Sequence, residues 1–184
     1  MDNIRTLAMD RWHFPMVNDA ERNGQYKQAI LRGIERVREE LGGKGGRAGA
    51  RRVKVLDIGA GSGLLSVYAA QAGADVVAVE MNEALAEVCK EVILSNGVAE
   101  RVEVVCCHSD DLDARRIGEV DLIVSEIVDA SLLGEHVLPT MLRAKTLFPK
   151  AQMIPSHAQV FATPIECDEL WRQSKSPEMV FFSH

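Results

Sequence analysis

The chain is short of three things, namely cysteine, long apolar runs and basic excess, and each shortage removes a class of function. Its four cysteines, Cys89, Cys106, Cys107 and Cys167, show no C-x-x-C spacing and none of the density of a disulfide scaffold. They read as ordinary thiols in a reducing compartment. His108, His136 and His157 share no ligand spacing with one another or with cysteine, so no metal site is expected. No stretch approaches the roughly 20 apolar residues that span a bilayer, and the opening MDNIRTLAMDRWHF lacks the apolar core of a signal peptide. The expectation is an intracellular protein, cytoplasmic with the nucleus also open to it, and no membrane partner. Lysine and arginine number 21 against 27 aspartates and glutamates, a net charge of −6. A strong nucleic-acid binder carries the opposite balance, so no direct nucleic-acid partner is expected; an acidic surface suits a basic partner.

What is present is enough apolar chain for one domain: 184 residues, 47% apolar and 26% charged. Between Asp19 and Leu41, Tyr26, Ile30, Ile34, Val37 and Leu41 recur at steps of four, four, three and four, which predicts an amphipathic helix. GGKGGRAG at 42–49, with five glycines, costs a helix too much backbone entropy and predicts a flexible connector. Residues 1–41 therefore read as an N-terminal helical appendage, 42–52 as a linker, and 53–155 as the core. In the core, short branched runs alternate with helical stretches. Strands are expected at 53–58, 75–80, 102–106 and 121–126, and a longer strand-like stretch at 153–165. Helices are expected from Ser62 to Gln71, after an Asn82 N-cap with inner face Ala84, Leu85, Val88, Cys89, Val92 and Ile93, and around Val137, Leu138, Met141 and Leu142. The alternation predicts an α/β fold, a doubly wound and mostly parallel Rossmann-like sheet with ligands at the carboxyl ends of its strands.

The first strand runs into Asp57-Ile58-Gly59-Ala60-Gly61-Ser62-Gly63. Alternate glycines let the backbone turn tightly and approach a ligand, although by themselves they also fit a plain strand-to-helix turn. The dinucleotide fingerprint G-x-G-x-x-G fails, because Leu64 stands three places after Gly61. A pyrophosphate ligand is disfavoured. Glu80, at the end of the second strand, can accept from both hydroxyls of a ribose, which implies an adenosine-containing ligand. The combination of Asp57, the loop and Glu80 resembles class I S-adenosylmethionine-dependent methyltransferases, whose cofactor has no phosphates. The resemblance implies S-adenosyl-L-methionine as cofactor.

The fourth predicted strand ends at Glu126, and Glu135 follows across SEIVDASLLGE. Taken alone, these are a loop glutamate and a helix-start glutamate favoured by the macrodipole. In this position the segment resembles the double-glutamate loop of the protein arginine N-methyltransferases, and the similarity runs over almost the whole chain. That resemblance implies an enzyme transferring a methyl group to a guanidino nitrogen of arginine in a basic protein or peptide, such as histones or Gly/Arg-rich proteins. It also gives the two carboxylates a physical task. A guanidinium stays protonated and the methyl donor is a sulfonium, so the pair of glutamates offsets cation–cation repulsion and orients the acceptor nitrogen. Both are assigned as catalytic.

Further assignments come from the resemblance. Arg22, with Tyr26 four residues on, would bind the methionine carboxylate of the cofactor; Met16 would line the active site on the substrate side and His13 would stand near the cofactor. Ser109 and Asp110 would recognise adenine, although most relatives carry glutamate where this chain has Asp110. Three stretches, MVNDAERNGQYKQAI at 16–30, DIGAGSGLLSVYAAQAGAD at 57–75 and EIVDASLLGE at 126–135, resemble the monomethylating subtype seven. That subtype has an acidic residue inside the double-glutamate loop, here Asp129, which would favour basic neighbours of the target arginine; one methyl per arginine is implied. Residues 156–184 read as the start of a crossover toward a β-barrel that complete family members carry with a dimerisation arm, and no Thr-His-Trp sequence occurs. A fragment is expected, able to bind cofactor with turnover in doubt, and homodimeric only with the barrel and arm. The rival readings are a non-catalytic interaction module of the same fold and a methyltransferase for another substrate class.

Overall fold

The computed structural model describes residues 13–42, 51–129 and 132–174, with the side chains of 13, 14 and 174 left out. Most of the glycine connector, at 43–50, and the end of the tail, at 175–184, lie outside the described residues. The elements are α1 (His13–Asn18), α2 (Ala20–Gly42), β1 (Lys54–Ile58), α3 (Leu64–Gln71), β2 (Asp75–Glu80), α4 (Glu83–Ser95), β3 (Val102–Cys106), α5 (Ala114–Ile117), β4 (Leu122–Ser125), α6 (Val137–Leu147), β5 (Gln152–Ile154) and α7 (Asp168–Ser174). The strands form one sheet in the order β3-β2-β1-β4-β5, and every neighbouring pair is parallel. No described helix is long and apolar enough to cross a membrane.

The central strands are apolar at nearly every position because both faces of the sheet are covered. Alternation assigns Val55, Val76, Ala78, Leu122 and Val124 to the face under α2, α3 and α4. Leu56, Ile58, Val77, Val79 and Ile123 go to the face under α5 and α6, with Ile117, Ala144 and Phe148. Helix α2 is more than an appendage. Ile30, Ile34 and Val37 are buried in the same cluster as β1 and β4, and Gly33 lets Ile154 and Leu122 approach the helix closely. The apolar stripe read from the sequence is real; its partner is the sheet, which without α2 would leave one face of β4 and β5 bare.

Local signals placed several boundaries. Asn82 caps α4 by accepting from the Leu85 N–H at 3.1 Å, and Asn96-Gly97 ends it with Gly97 at φ 68°. Three expectations need correction. Helix α3 begins at Leu64, two residues late, because Gly63 before it is left-handed at φ 85°. The inner face of α4 is Ala86, Cys89 and Ile93, so Ala86 replaces Ala84 and Leu85 at the core. The strand-like stretch at 153–165 shrinks to Gln152–Ile154: Pro155 has no N–H to donate, and from 156 to 165 the chain is exposed, with no neighbouring strand among the described residues.

Candidate active site

Register brings three strand ends together. Ile58 pairs with Val79 on one side and Ser125 on the other, so Gly59, Glu80 and Glu126 leave adjacent strands at one edge. Strand order reverses between β1 and β4, where open α/β sheets place their ligands. A cavity of about 430 Å3 lies there, lined among others by Met16, Arg22, Gly59, Gly61, Glu80, Glu126 and Glu135.

The glycine loop is tied down from below. The N–H groups of Gly59 and Ala60 both donate to the Val79 carbonyl, at 2.9 and 3.0 Å. Gly59 sits at φ 75°, and a Cβ there would collide with Ile127 Cγ2. No other residue type fits without moving the Glu126 loop. Glu80, 6% exposed, clamps the loop: Oε2 accepts from the Gly61 N–H and Oε1 from the Asn82 N–H, each at 2.8 Å. Each oxygen keeps a second lone pair for a ligand hydroxyl.

Asp57 lies behind the loop rather than in the cavity wall. It is 1% exposed, its Oδ2 accepts from Ser66 Oγ at 2.6 Å, and its Oδ1 is buried without a partner. Burial pushes its carboxyl up from 3.8 to about 6, opposed by the Ser66 hydrogen bonds and assisted by Glu80.

On the other side, Asp19 caps α2 by accepting from the Arg22 N–H at 2.9 Å, which aims the first turn at the sheet edge. Arg22 Nη1 lies 3.0 Å from Glu126 Oε2; its Nη2 donates to the Met16 carbonyl and to Asn23 Oδ1, and its Nε is buried without a partner. Tyr26, one turn on, donates to the Ser125 carbonyl at 3.2 Å. Burial, then the charge of Glu126, pushes its phenol up to about 12 against the pull of Arg22, so it stays a donor at neutral pH. Glu135 is exposed, yet partial burial, Glu126 and Asp129 together raise its carboxyl above the usual range. The two glutamates therefore share one cavity and sense each other.

Other expected residues stand apart. Ser109 and Asp110, on a single 3-10 turn after β3, do not line the cavity. The Asp110 carbonyl accepts from Arg143 Nε and Nη2, and its carboxylate faces Arg143 and His108 at 3.7 and 3.5 Å. Asp129 is also outside the lining; it braces its own loop, its Oδ1 accepting from the Gly134 N–H and its carbonyl from the Leu132 N–H. His13 opens α1, with its side chain outside what is described. Sequence reasoning passed over His136, Ile127, Met81 and Asn82 as wall residues. Their signal was adjacency, since each directly follows or lies two places after a carboxylate at a strand or loop end. No group of three or more metal-ligating side chains occurs among the described residues. A second groove of about 490 Å3 between α2 and β5 draws on none of the glycine loop, Glu80, Glu126 or Glu135.

Comparison with known proteins places this geometry. The family model described as ribosomal protein L11 methyltransferase (PrmA) matches residues 42–154. The arginine N(omega)-methyltransferase of Streptomyces achromogenes subsp. streptozoticus is 42% identical over 172 residues, 91% of this chain and 44% of that protein. Protein arginine N-methyltransferase 9 of Homo sapiens is 33% identical over 189 residues, 94% of this chain and 21% of its own length. Protein arginine N-methyltransferase 7 of Rattus norvegicus is 34% identical over 167 residues, covering 87% and 23%. Among solved structures, the PRMT1 enzyme–prozyme heterotetrameric complex of Trypanosoma brucei with AdoHcy superposes with a TM-score of 0.62 at 29% identity, over 79% of this chain and 42% of that one. The chain spans less than half the length of each of these relatives.

Proposed function

Because the chain belongs to the protein arginine N-methyltransferase family, we propose that it supplies the half of an enzyme that brings S-adenosyl-L-methionine to a guanidino nitrogen of arginine. One observation carries the reading: Glu126 and Glu135 line the same cavity as the glycine loop and Glu80. The cofactor supplies a methyl group on a cationic sulfur. Gly59 and Gly61 admit it against the backbone, Glu80 accepts from its ribose hydroxyls, and Arg22, whose Nε–H has no acceptor, takes its carboxylate. Asp57 supports the loop from beneath. His13 near the cofactor completes the proposed contacts; Ser109 and Asp110, just beyond β3 at the same sheet edge but outside the cavity lining, are proposed to meet the adenine end of the ligand.

Glu126 and Glu135 hold the acceptor guanidinium, lower the repulsion between two cations and point one terminal nitrogen at the methyl group. Bound there, the cofactor would supply the methyl group to that nitrogen, which would release one proton to solvent. Met16 forms a wall on the acceptor side. The acceptor is arginine in a basic protein such as a histone or a Gly/Arg-rich segment, with Asp129 favouring basic neighbours and one methyl added per arginine. A homodimer is proposed only together with a barrel and arm beyond this chain.

A second reading is favoured by one finding. The 42% identical relative is named for arginine itself, with no protein in its name. Free L-arginine would present the same guanidinium to the same two glutamates. Labelled-methyl transfer by a longer protein containing this chain, offered an Arg-rich peptide and free L-arginine, separates the two. Label is expected in one acceptor and none after Glu126→Gln. Label in neither acceptor, or undiminished label in the variant, would remove the reading.

A further inference from the structure

Glu126, assigned above to the acceptor's guanidinium, already holds one. Arg22 Nη1 lies 3.0 Å from Glu126 Oε2, and the two side chains are only 23% and 14% exposed. The guanidinium is incompletely satisfied there: Nη2 donates to the Met16 carbonyl and Asn23 Oδ1 and Nη1 is ion-paired with Glu126, while Nε is buried with no acceptor. Both residues line the cavity that carries Glu80 and the glycine loop, so Arg22 stands between the two halves of the site. The backbone at Glu126 does not depend on the ion pair. Tyr26 holds the Ser125 carbonyl at 3.2 Å, and Ser125 Oγ donates to the Ile58 carbonyl at 2.8 Å. Arg22 can therefore leave Glu126 by side-chain rotation, with the end of β4 staying in place.

We propose that Arg22 is a resident competitor for the acceptor's guanidinium and couples the two binding events. Arg22 turns from Glu126 to the carboxylate of the bound cofactor, and Glu126 is then free to grip the incoming guanidinium. A protein without cofactor thus closes its own acceptor site, using the same cation type that the site exists to bind. Linkage requires the converse: a guanidinium on Glu126 raises affinity for a carboxylate-bearing cofactor by the same factor. The inference rests on the roles proposed above for Arg22 and Glu126.

The test measures binding to the 184-residue chain by calorimetry or NMR titration. The acceptor probe is N-acetyl-arginine methylamide, which has one guanidinium and no other charge. The cofactor probes are S-adenosylhomocysteine and 5′-methylthioadenosine, which keeps the nucleoside and thioether but has no amino-acid carboxylate. S-adenosylhomocysteine is expected to tighten probe binding by about tenfold, within the range of ordinary allosteric coupling, and methylthioadenosine to leave it unchanged. Arg22→Gln is expected to bind the probe about tenfold more tightly than wild type without cofactor and to show no further gain with S-adenosylhomocysteine. Equal effects of the two nucleosides, no effect of either, or coupling that survives in Arg22→Gln would overturn the proposal. The wild-type arms decide it even if the variant fails to fold. Failure of S-adenosylhomocysteine to bind at all would count against the functional reading itself, whereas binding without coupling would remove this inference alone.

Discussion

The two halves of the site are built on opposite plans. Around the glycine loop, polar groups are locked by the backbone: Glu80 accepts two N–H groups, and Gly59 and Ala60 share one carbonyl. Between Glu126 and α6 the chain is held by its own turns. Asp129 braces Gly134, Glu135 is exposed, and Leu132 and His136 take left-handed conformations at φ 71° and 59°. These are the only non-glycine residues with positive φ among the described residues, and such strain gathers where function requires it. The first half is preorganised for a ligand of fixed shape. The second is shaped by what enters it, beginning with Arg22.

That contrast can be broken at several points. The largest effect is expected from Glu126→Gln and Glu135→Gln in a longer protein containing the chain. Each should lower kcat/KM for an arginine acceptor by about 100- to 1000-fold, the scale of a lost electrostatic catalytic group, while S-adenosylhomocysteine affinity changes little. Calorimetry showing cofactor affinity falling in step with activity would merge the halves into one. Next comes Glu80→Ala, which leaves the Gly61 and Asn82 N–H groups without acceptors. A loss of cofactor affinity of about 100-fold is expected by titration, and full binding would empty the assigned pocket.

A matched pair of glycine substitutions sharpens the comparison. Gly59→Ala combines positive φ with a collision with Ile127, and should cost about 2–3 kcal/mol in urea denaturation. Gly134→Ala meets the carboxylate of Asp129, a side chain that can turn aside at the expense of its bond to the Gly134 N–H, and should cost less than about 1.5 kcal/mol. Equal costs would mean that both loops are equally rigid.

The last expected effect is a pH dependence within the preorganised half. The Asp57 carboxyl is raised in the folded protein from 3.8 to about 6, so the folded state binds more protons than the unfolded state between those values. Its contribution therefore falls as pH rises from about 4 to about 6 and is flat above. Asp57→Asn, which keeps an acceptor for Ser66, should flatten that decline and stabilise the fold at pH 7 by about 1 kcal/mol. A melting temperature that falls at pH 7 in this variant would show that the charge is stabilising where it sits.

Much of the fold was legible because its signals are local. Four strands fell within a residue or so of the expected segments, and the Asn82 cap and Gly97 stop are short-range chemistry. That Gly59, Gly61, Glu80 and Glu126 meet at one edge was readable because they follow the ends of parallel strands, whereas Glu135, nine residues past Glu126, was placed there by resemblance. What was illegible depended on partners distant in the chain. Asp110 is held by Arg143 from α6, which no spacing near the 3-10 turn announces. The run after Ile154 carried strand-like residues but met no strand among the described residues.

The sequence by itself determined a parallel α/β sheet, a backbone cradle and two carboxylates at one edge, since alternation, helical period and the conformational freedom of glycine act over a few residues. Only the tertiary structure decided that α2 belongs to the core, that Asp57 supports rather than lines the cavity, and that Arg22 rests on Glu126. Those outcomes turn on contacts such as that of the Tyr26 hydroxyl with the Ser125 carbonyl, 99 residues apart, and packing rather than periodicity brings such groups within reach.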